Sequence, residues 1–151
     1  MIGLAETVAD VLLSDVCVKY PNLSFVTVES GFGWLPYFVE TLDWQWLNSG
    51  AGQANPHREL PSFYFRRQLM STFWFEKESV TTMVEDYADN VMFETDFPHP
   101  TSLSPGPASS SDVPRAMAAA AFAGVPDDVV RKVLYDNAAR LYHIQGPRRS
   151  D

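Results

Sequence analysis

This sequence predicts an α/β fold of parallel strands joined by right-handed crossovers, and three observations predict it. Three short runs rich in β-branched and aromatic residues alternate with longer stretches of helical spacing. Each run is closed by an acid: Glu29, Glu76 or Asp96. No short period recurs along the chain, which removes solenoids and propellers.

The elements follow in order. Leu4 to Tyr20 places Val8, Val11, Leu12, Val16 and Tyr20 at helical spacing, and Pro21 stops the helix because it lacks a backbone donor and restricts its neighbour. LSFVTVE, Leu23 to Glu29, reads as a buried strand. Gly31 and Gly33 allow a turn, after which Trp34 to Leu47 resumes helical spacing with Pro36 tolerable in a first turn. Asn48 to Pro61 reads as loop. The second strand is Gln68 to Phe75, followed by a short helix from Ser79 to Ala88 with Ser79 as N-cap. The third strand, Val91 to Thr95, runs into Asp96-Phe97-Pro98-His99-Pro100. Thr101 to Ser111 is a Pro/Ser/Gly loop, and Asp112 to Ala123 is an Ala-rich helix closed by Gly124. Pro126 to Tyr135 and Asp136 to Ile144 form two last helices. Residues 1–146 form the folded part and residues 147–151 a flexible tail.

Composition excludes several function classes. With 11 basic and 19 acidic side chains the formal charge is −8, and the longest basic run is Arg148-Arg149, so nucleic acid is an unsuitable partner. No apolar run approaches the roughly 20 residues that span a bilayer. Glu6 and Asp10 interrupt the apolar start where a signal peptide needs an unbroken one. A cytoplasmic protein acting on a small molecule is the expectation. The single Cys17 excludes internal disulfides and reads as a small buried hydrophobe.

In parallel sheets ligands bind beyond the carboxyl ends of the strands, where each strand contributes one residue. Three acids on one rim suit a divalent cation or general acid/base work, although acids also end strands simply because loops begin there. His99, in a loop stiffened by Pro98 and Pro100, is placed to bond Asp96, line a pocket or cap the following loop. His57 reads as solvated and His143 as structural, near a helix C-terminus. Trp34, Trp44, Trp46 and Trp74 read as packing residues. There is no His-x-His, HExxH or Cys-x-x-Cys, and SGFG at Ser30 to Gly33 lacks the residues of a phosphate loop.

Three passages together, LSFVTVESGFGWLPYFVETLDWQW, LPSFYFRRQLMSTFWFE and NVMFETDFPHPTS, with the closing NAARLYHI, resemble the metal-dependent amidohydrolase-related family. Aminocarboxymuconate-semialdehyde decarboxylase and benzoate-type decarboxylases belong to that family. The resemblance implies a TIM (β/α)8 barrel of which this chain carries strands six to eight, incomplete on its own. It implies that Asp96 in TDFPH binds the divalent metal or acts on the metal-bound water. Glu29-Ser30-Gly31 stands where decarboxylase relatives carry a catalytic His, which leaves Glu29 as a pocket acid. The family's other ligands, a His-x-His on strand one and a His after strand five, are not in this sequence.

The implied activity is hydrolysis of an acyl or carboxylate substrate by metal-activated water. Decarboxylation, and a non-catalytic half-barrel or interaction subunit, are the alternatives. The implied cofactor is a divalent metal, zinc foremost, which this chain alone need not hold. Asp96, Glu29 and His99 are the catalytic candidates, and Trp34 and Glu76 the substrate-binding ones. Open parallel edges imply self-association or a complementary N-terminal chain.

Overall fold

The computed structural model describes residues 2–104 and 110–146. Residues 105–109 of the Pro/Ser/Gly loop and the tail at 147–151 lie outside the described residues. The chain divides into two compact units, Met1–Thr72 and Phe73–Asp151.

The first unit opens with α1 (Ile2–Leu13) and α2 (Val16–Lys19), so the single helix expected over Leu4 to Tyr20 is broken. The break has a physical cause. The Ser14 hydroxyl donates to the Val11 carbonyl at 3.0 Å, and Arg58 turns its guanidinium onto the end of α1. Arg58 donates to the carbonyls of Leu12 at 3.2 Å, Leu13 at 2.8 Å and Ser14 at 2.8 Å. These oxygens have no partner within the helix, and a cation there also complements its dipole. The guanidinium stacks 4.7 Å from the Trp46 ring centroid and 5.4 Å from that of Tyr64.

The strand β1 (Phe25–Thr27) is shorter than its sequence run, and α3 (Leu35–Asn48) follows with Pro36 in its first turn, as the spacing predicts. The stretch expected to be loop holds α4 (Gly50–Ala54), capped by the Ser49 hydroxyl accepting from Gly52 N–H at 3.3 Å. A Cβ on Gly52 would fall 1.9 Å from the Trp46 carbonyl oxygen, so only glycine fits. Next come α5 (Pro61–Gln68), also unforeseen, and β2 (Leu69–Phe73). Leu12, Cys17, Leu35, Phe65 and Leu69 are at most 2% exposed and form this unit's core. Each contributes about 1.5–3 kcal/mol where a large apolar side chain leaves water. Burial raises the Cys17 thiol pKa, with Arg67 and Arg58 pulling weakly the other way. Among the tryptophans, Trp46 is buried but Trp44 is 65% exposed, against the packing role expected of it.

β1 and β2 pair in parallel, with Phe25 opposite Leu69, Val26 opposite Met70 and Thr27 opposite Ser71. The sheet order is β1-β2-β3, each strand beside its successor in sequence. That order is the one right-handed crossovers produce in a partial barrel.

In the second unit α6 (Glu78–Met83) starts earlier than expected. Ser79 lies inside it and Lys77 stands at the N-cap without a side-chain cap bond, so the expected cap is corrected. β3 (Val91–Phe93) adjoins β2 through Glu94 N–H to Phe73 O at 2.9 Å. Phe73 meets Phe93 and Phe122 edge-on at centroid distances of 5.7 and 6.0 Å. α7 (Pro114–Ala121) ends before Gly124, whose φ of +84° suits glycine.

The two helices expected after Pro126 are one continuous run: α8 (Asp127–Arg131), a π-helical turn (Lys132–Asp136) and α9 (Asn137–Leu141). Asn137, 1% exposed, donates to the carbonyls of Ala88 at 2.6 Å and Val91 at 2.8 Å. His143, at φ 54°, closes α9 with Ile144 N–H reaching back to Ala139 O at 2.9 Å, which gives it the structural role expected.

Candidate functional site

The three candidate acids follow their strands closely. Glu29 stands two residues past β1, and Glu76 and Asp96 each stand three past β2 and β3. Two of the three, Glu29 at φ 54° and Asp96 at φ 58°, occupy the left-handed region that non-glycine residues rarely adopt. Such backbone persists only where its surroundings hold it, and it clusters at functional sites.

What holds Glu29 is a hydroxyl network in the first unit. Glu29 N–H donates to Thr72 Oγ1 at 3.2 Å, and Thr72 Oγ1 donates to the Thr27 carbonyl at 3.2 Å. Beside it, Thr27 Oγ1 and Ser71 Oγ lie 2.7 Å apart, and Ser30 Oγ donates to Thr27 Oγ1 at 2.9 Å. Ser71 Oγ also donates to the Gly31 carbonyl at 3.0 Å. All four hydroxyl residues are buried. Trp34, half-buried, gives its indole N–H to the carbonyls of Ser30 and Gly31, each at 3.1 Å. Its polar edge is therefore committed to the loop after β1, and its ring meets Phe38 edge-on at 5.0 Å.

Asp96 belongs to a second, tight loop. His99 N–H donates to the Asp96 carbonyl at 2.9 Å, and Leu103 N–H to the Thr95 carbonyl at 2.9 Å. The Phe97-Pro98 peptide is cis. The Asp96 side chain is 10% exposed, and its Oδ2 accepts no hydrogen bond. His99 Nδ1 approaches that oxygen to 3.2 Å but is not aligned to bond it, and it pairs instead with Thr101 Oγ1 at 2.9 Å. A carboxylate oxygen withdrawn from water and left without a donor is costly unless a cation or ligand group meets it.

The structure thus brings Asp96 and His99 together, with Thr101 fixing the imidazole. Glu76 is half-buried in the same unit, whereas Glu29 and Trp34 belong to the first. Thr101 also borders a cavity of about 740 Å³ lined by Trp74, Phe75, Lys77, Leu103 and Met117. Among the described residues no three His, Cys, Asp or Glu side chains gather closely enough to hold a metal ion. The hydroxyl network was not foreseen from sequence. Its signal is the placing of Thr27, Ser71 and Thr72 inside otherwise apolar strand runs.

A family model described as Amidohydrolase matches residues 4–144. The chain belongs to the amidohydrolase family. No protein of curated function matches it. Among solved structures, this amidohydrolase chain is similar to an amidohydrolase from Mycobacterium avium subsp. paratuberculosis K-10, at 22% identity and a TM-score of 0.71. The match covers 93% of this chain and 33% of that one. The 5-carboxyvanillate decarboxylase of Sphingomonas paucimobilis matches at 24% identity and TM-score 0.68, over 93% of this chain and 40% of that one. IDCase of Metarhizium anisopliae matches at 20% and 0.69, over 92% and 39%. At these identities the likeness shows the fold, an α/β arrangement consistent with part of a barrel. The amidohydrolase chain spans only 33 to 40% of the length of these structures. No helix among its described residues is long and apolar enough to cross a membrane.

Proposed function

We propose that these residues form strands six to eight of an amidohydrolase-type barrel and contribute Asp96 to a divalent-metal centre, zinc foremost. The observation that carries this reading is the nine-tenths-buried Asp96 carboxylate, whose Oδ2 lacks a donor at the mouth of β3. Bound there, a cation would activate water toward an acyl or carboxylate substrate. The donor set within the described residues does not complete such a site, because zinc takes about four ligands and no three His, Cys, Asp or Glu side chains gather there. In the barrel that the family resemblance implies, the remaining ligands would come from its other strands.

Each candidate residue has a task within its own unit. His99, held by Thr101, stands beside Asp96 with its Nδ1 3.2 Å from the carboxylate Oδ2. Glu29 serves as a pocket acid on the strand-six loop, and Trp34 walls that loop. Glu76 and the cavity beside Lys77 and Trp74 receive the small-molecule substrate. Decarboxylation is the second reading, favoured by the fold shared with the Sphingomonas 5-carboxyvanillate decarboxylase. A non-catalytic subunit is the third, favoured by the incomplete donor set.

Equilibrium dialysis against zinc tests the metal reading. The 151-residue chain should bind zinc weakly and lose that binding in Asp96→Asn. Tight stoichiometric zinc that survives Asp96→Asn would overturn the assignment of Asp96. Turnover by the isolated chain would overturn the need for further strands.

A further inference from the structure

The residues that follow β2 and β3 line, within the second unit, the cavity of about 740 Å³ that Thr101 borders. That volume lies in the range of small-ligand sites. Its floor is apolar, for Leu103 is 3% exposed and Met117 8%. Its aromatic wall is Trp74, set edge-on against Phe75 at a centroid distance of 4.8 Å. Thr101 joins the cavity to the Asp96 loop. Its hydroxyl lies 2.9 Å from His99 Nδ1, which stands 3.2 Å from Asp96 Oδ2.

Two formal charges line this cavity, and they are of opposite sign. Lys77 stands at the start of α6 without a side-chain cap bond, and Asp112 shortly precedes α7. Both side chains are exposed, and among the described residues neither has an ion-pair partner, nor do they pair with one another. A ligand that carries both charges can therefore lie between them, its carboxylate at Lys77 and its ammonium at Asp112. The indole face of Trp74 favours the ammonium as well, because the ring quadrupole attracts a cation. Leu103 and Met117 suit an apolar body between the two charges. A ligand with one charge engages only one of the two groups, so the pair discriminates by charge pattern.

We propose that this cavity is selective for an amino-carboxylate with an apolar body, with Lys77 and Asp112 as its specificity-determining residues. The proposal rests on the reading of this cavity as the substrate's place and adds which class of substrate it takes.

Proton–nitrogen NMR titration of the metal-free 151-residue chain tests it. The readout is the indole N–H of Trp74, with that of Trp34 in the first unit as the internal reference. The probes are phenylalanine and para-aminomethylbenzoate, which hold their charges close together and across a ring. Phenylpropionate, phenethylamine, para-methylbenzoate and para-methylbenzylamine are their singly charged counterparts. At least one amino-carboxylate should shift Trp74 and bind about threefold or more tighter than either of its counterparts. Lys77→Met should remove its advantage over the amine and leave the amine's own binding unchanged. Asp112→Asn should remove its advantage over the carboxylate and leave the carboxylate's own binding unchanged. Both substitutions are at exposed positions, and circular dichroism melting confirms that each variant is folded. A Trp74 signal unmoved by both amino-carboxylates overturns the proposal. So do singly charged counterparts that bind as tightly, and so does a preference that survives both substitutions. The titration holds no metal and the zinc dialysis holds no organic ligand, so each reading can fail while the other stands.

Discussion

The Thr72 hydroxyl accepts the Glu29 N–H at 3.2 Å while donating to the Thr27 carbonyl at 3.2 Å, so one oxygen fastens a left-handed glutamate to the end of its strand. Thr72→Val keeps the shape and removes the bridge. It should lower unfolding stability by about 1–3 kcal/mol, the range for a buried group left unsatisfied. Thr72→Ser should recover most of that loss in urea titrations. Glu29→Gly should move the other way, gaining up to about 1 kcal/mol by relieving the positive φ.

Asp96 should show the same opposition between stability and function. Its orphaned carboxylate oxygen is held out of water with no donor. Asp96→Asn removes the charge at nearly constant volume and should raise the melting temperature of the isolated chain by a few degrees, equivalent to about 1 kcal/mol. A lowered melting temperature would show that the carboxylate is satisfied in solution.

Arg58 joins three carbonyl acceptors to two aromatic faces in the first unit. Arg58→Met should cost about 2–4 kcal/mol, because charge-assisted bonds and stacking are lost together. Arg58→Lys should recover less than half, since an ammonium cannot present the planar fork.

Cys17 contributes a pH dependence to stability. Its folded pKa is raised by burial, so folding favours the neutral thiol. The sign follows: Cys17's contribution to stability is fully present below the thiol's unfolded pKa and is lost as pH rises through the raised folded value. Stability should therefore decline above about pH 8.5 in the unaltered chain, and the Cys17 part of that decline should vanish in Cys17→Ala. At neutral pH the folded chain should resist iodoacetamide and react only once urea unfolds it, as mass spectrometry would read.

Much of the fold was legible because local rules acted alone. The alternation of strands and helices, Pro36 in a first turn, and Gly124 after α7 all follow from periodicity and backbone preference. What escaped depended on partners distant in sequence. The break after Leu13 is made by Arg58, 44 to 46 residues away, and no spacing within the helix announces it. α5 was hidden because its buried face is formed by Tyr64, Phe65 and Gln68, aromatic and polar types that mimic a loop-to-strand transition. Of the candidate site, Asp96 beside His99 was legible through the stiff Pro98 and Pro100, which fix the loop. The hydroxyls that hold Glu29 were not, because serine and threonine within a strand give no sign of which way they bond.

The two bonds from Asn137 also decide where the chain can be shortened. They tie the last helical run to the start of β3, whereas His143 and Ile144 only close the helix behind them. Limited proteolysis from the carboxyl end should therefore run freely through residues 145 and 146 and slow at α9. A cut that removes Asn137 would release the carbonyls of Ala88 and Val91, and with them the anchor of the strand that presents Asp96. The acid at the mouth of β3 is thus guarded from the far end of the sequence, by an amide whose loss would act as a fuse.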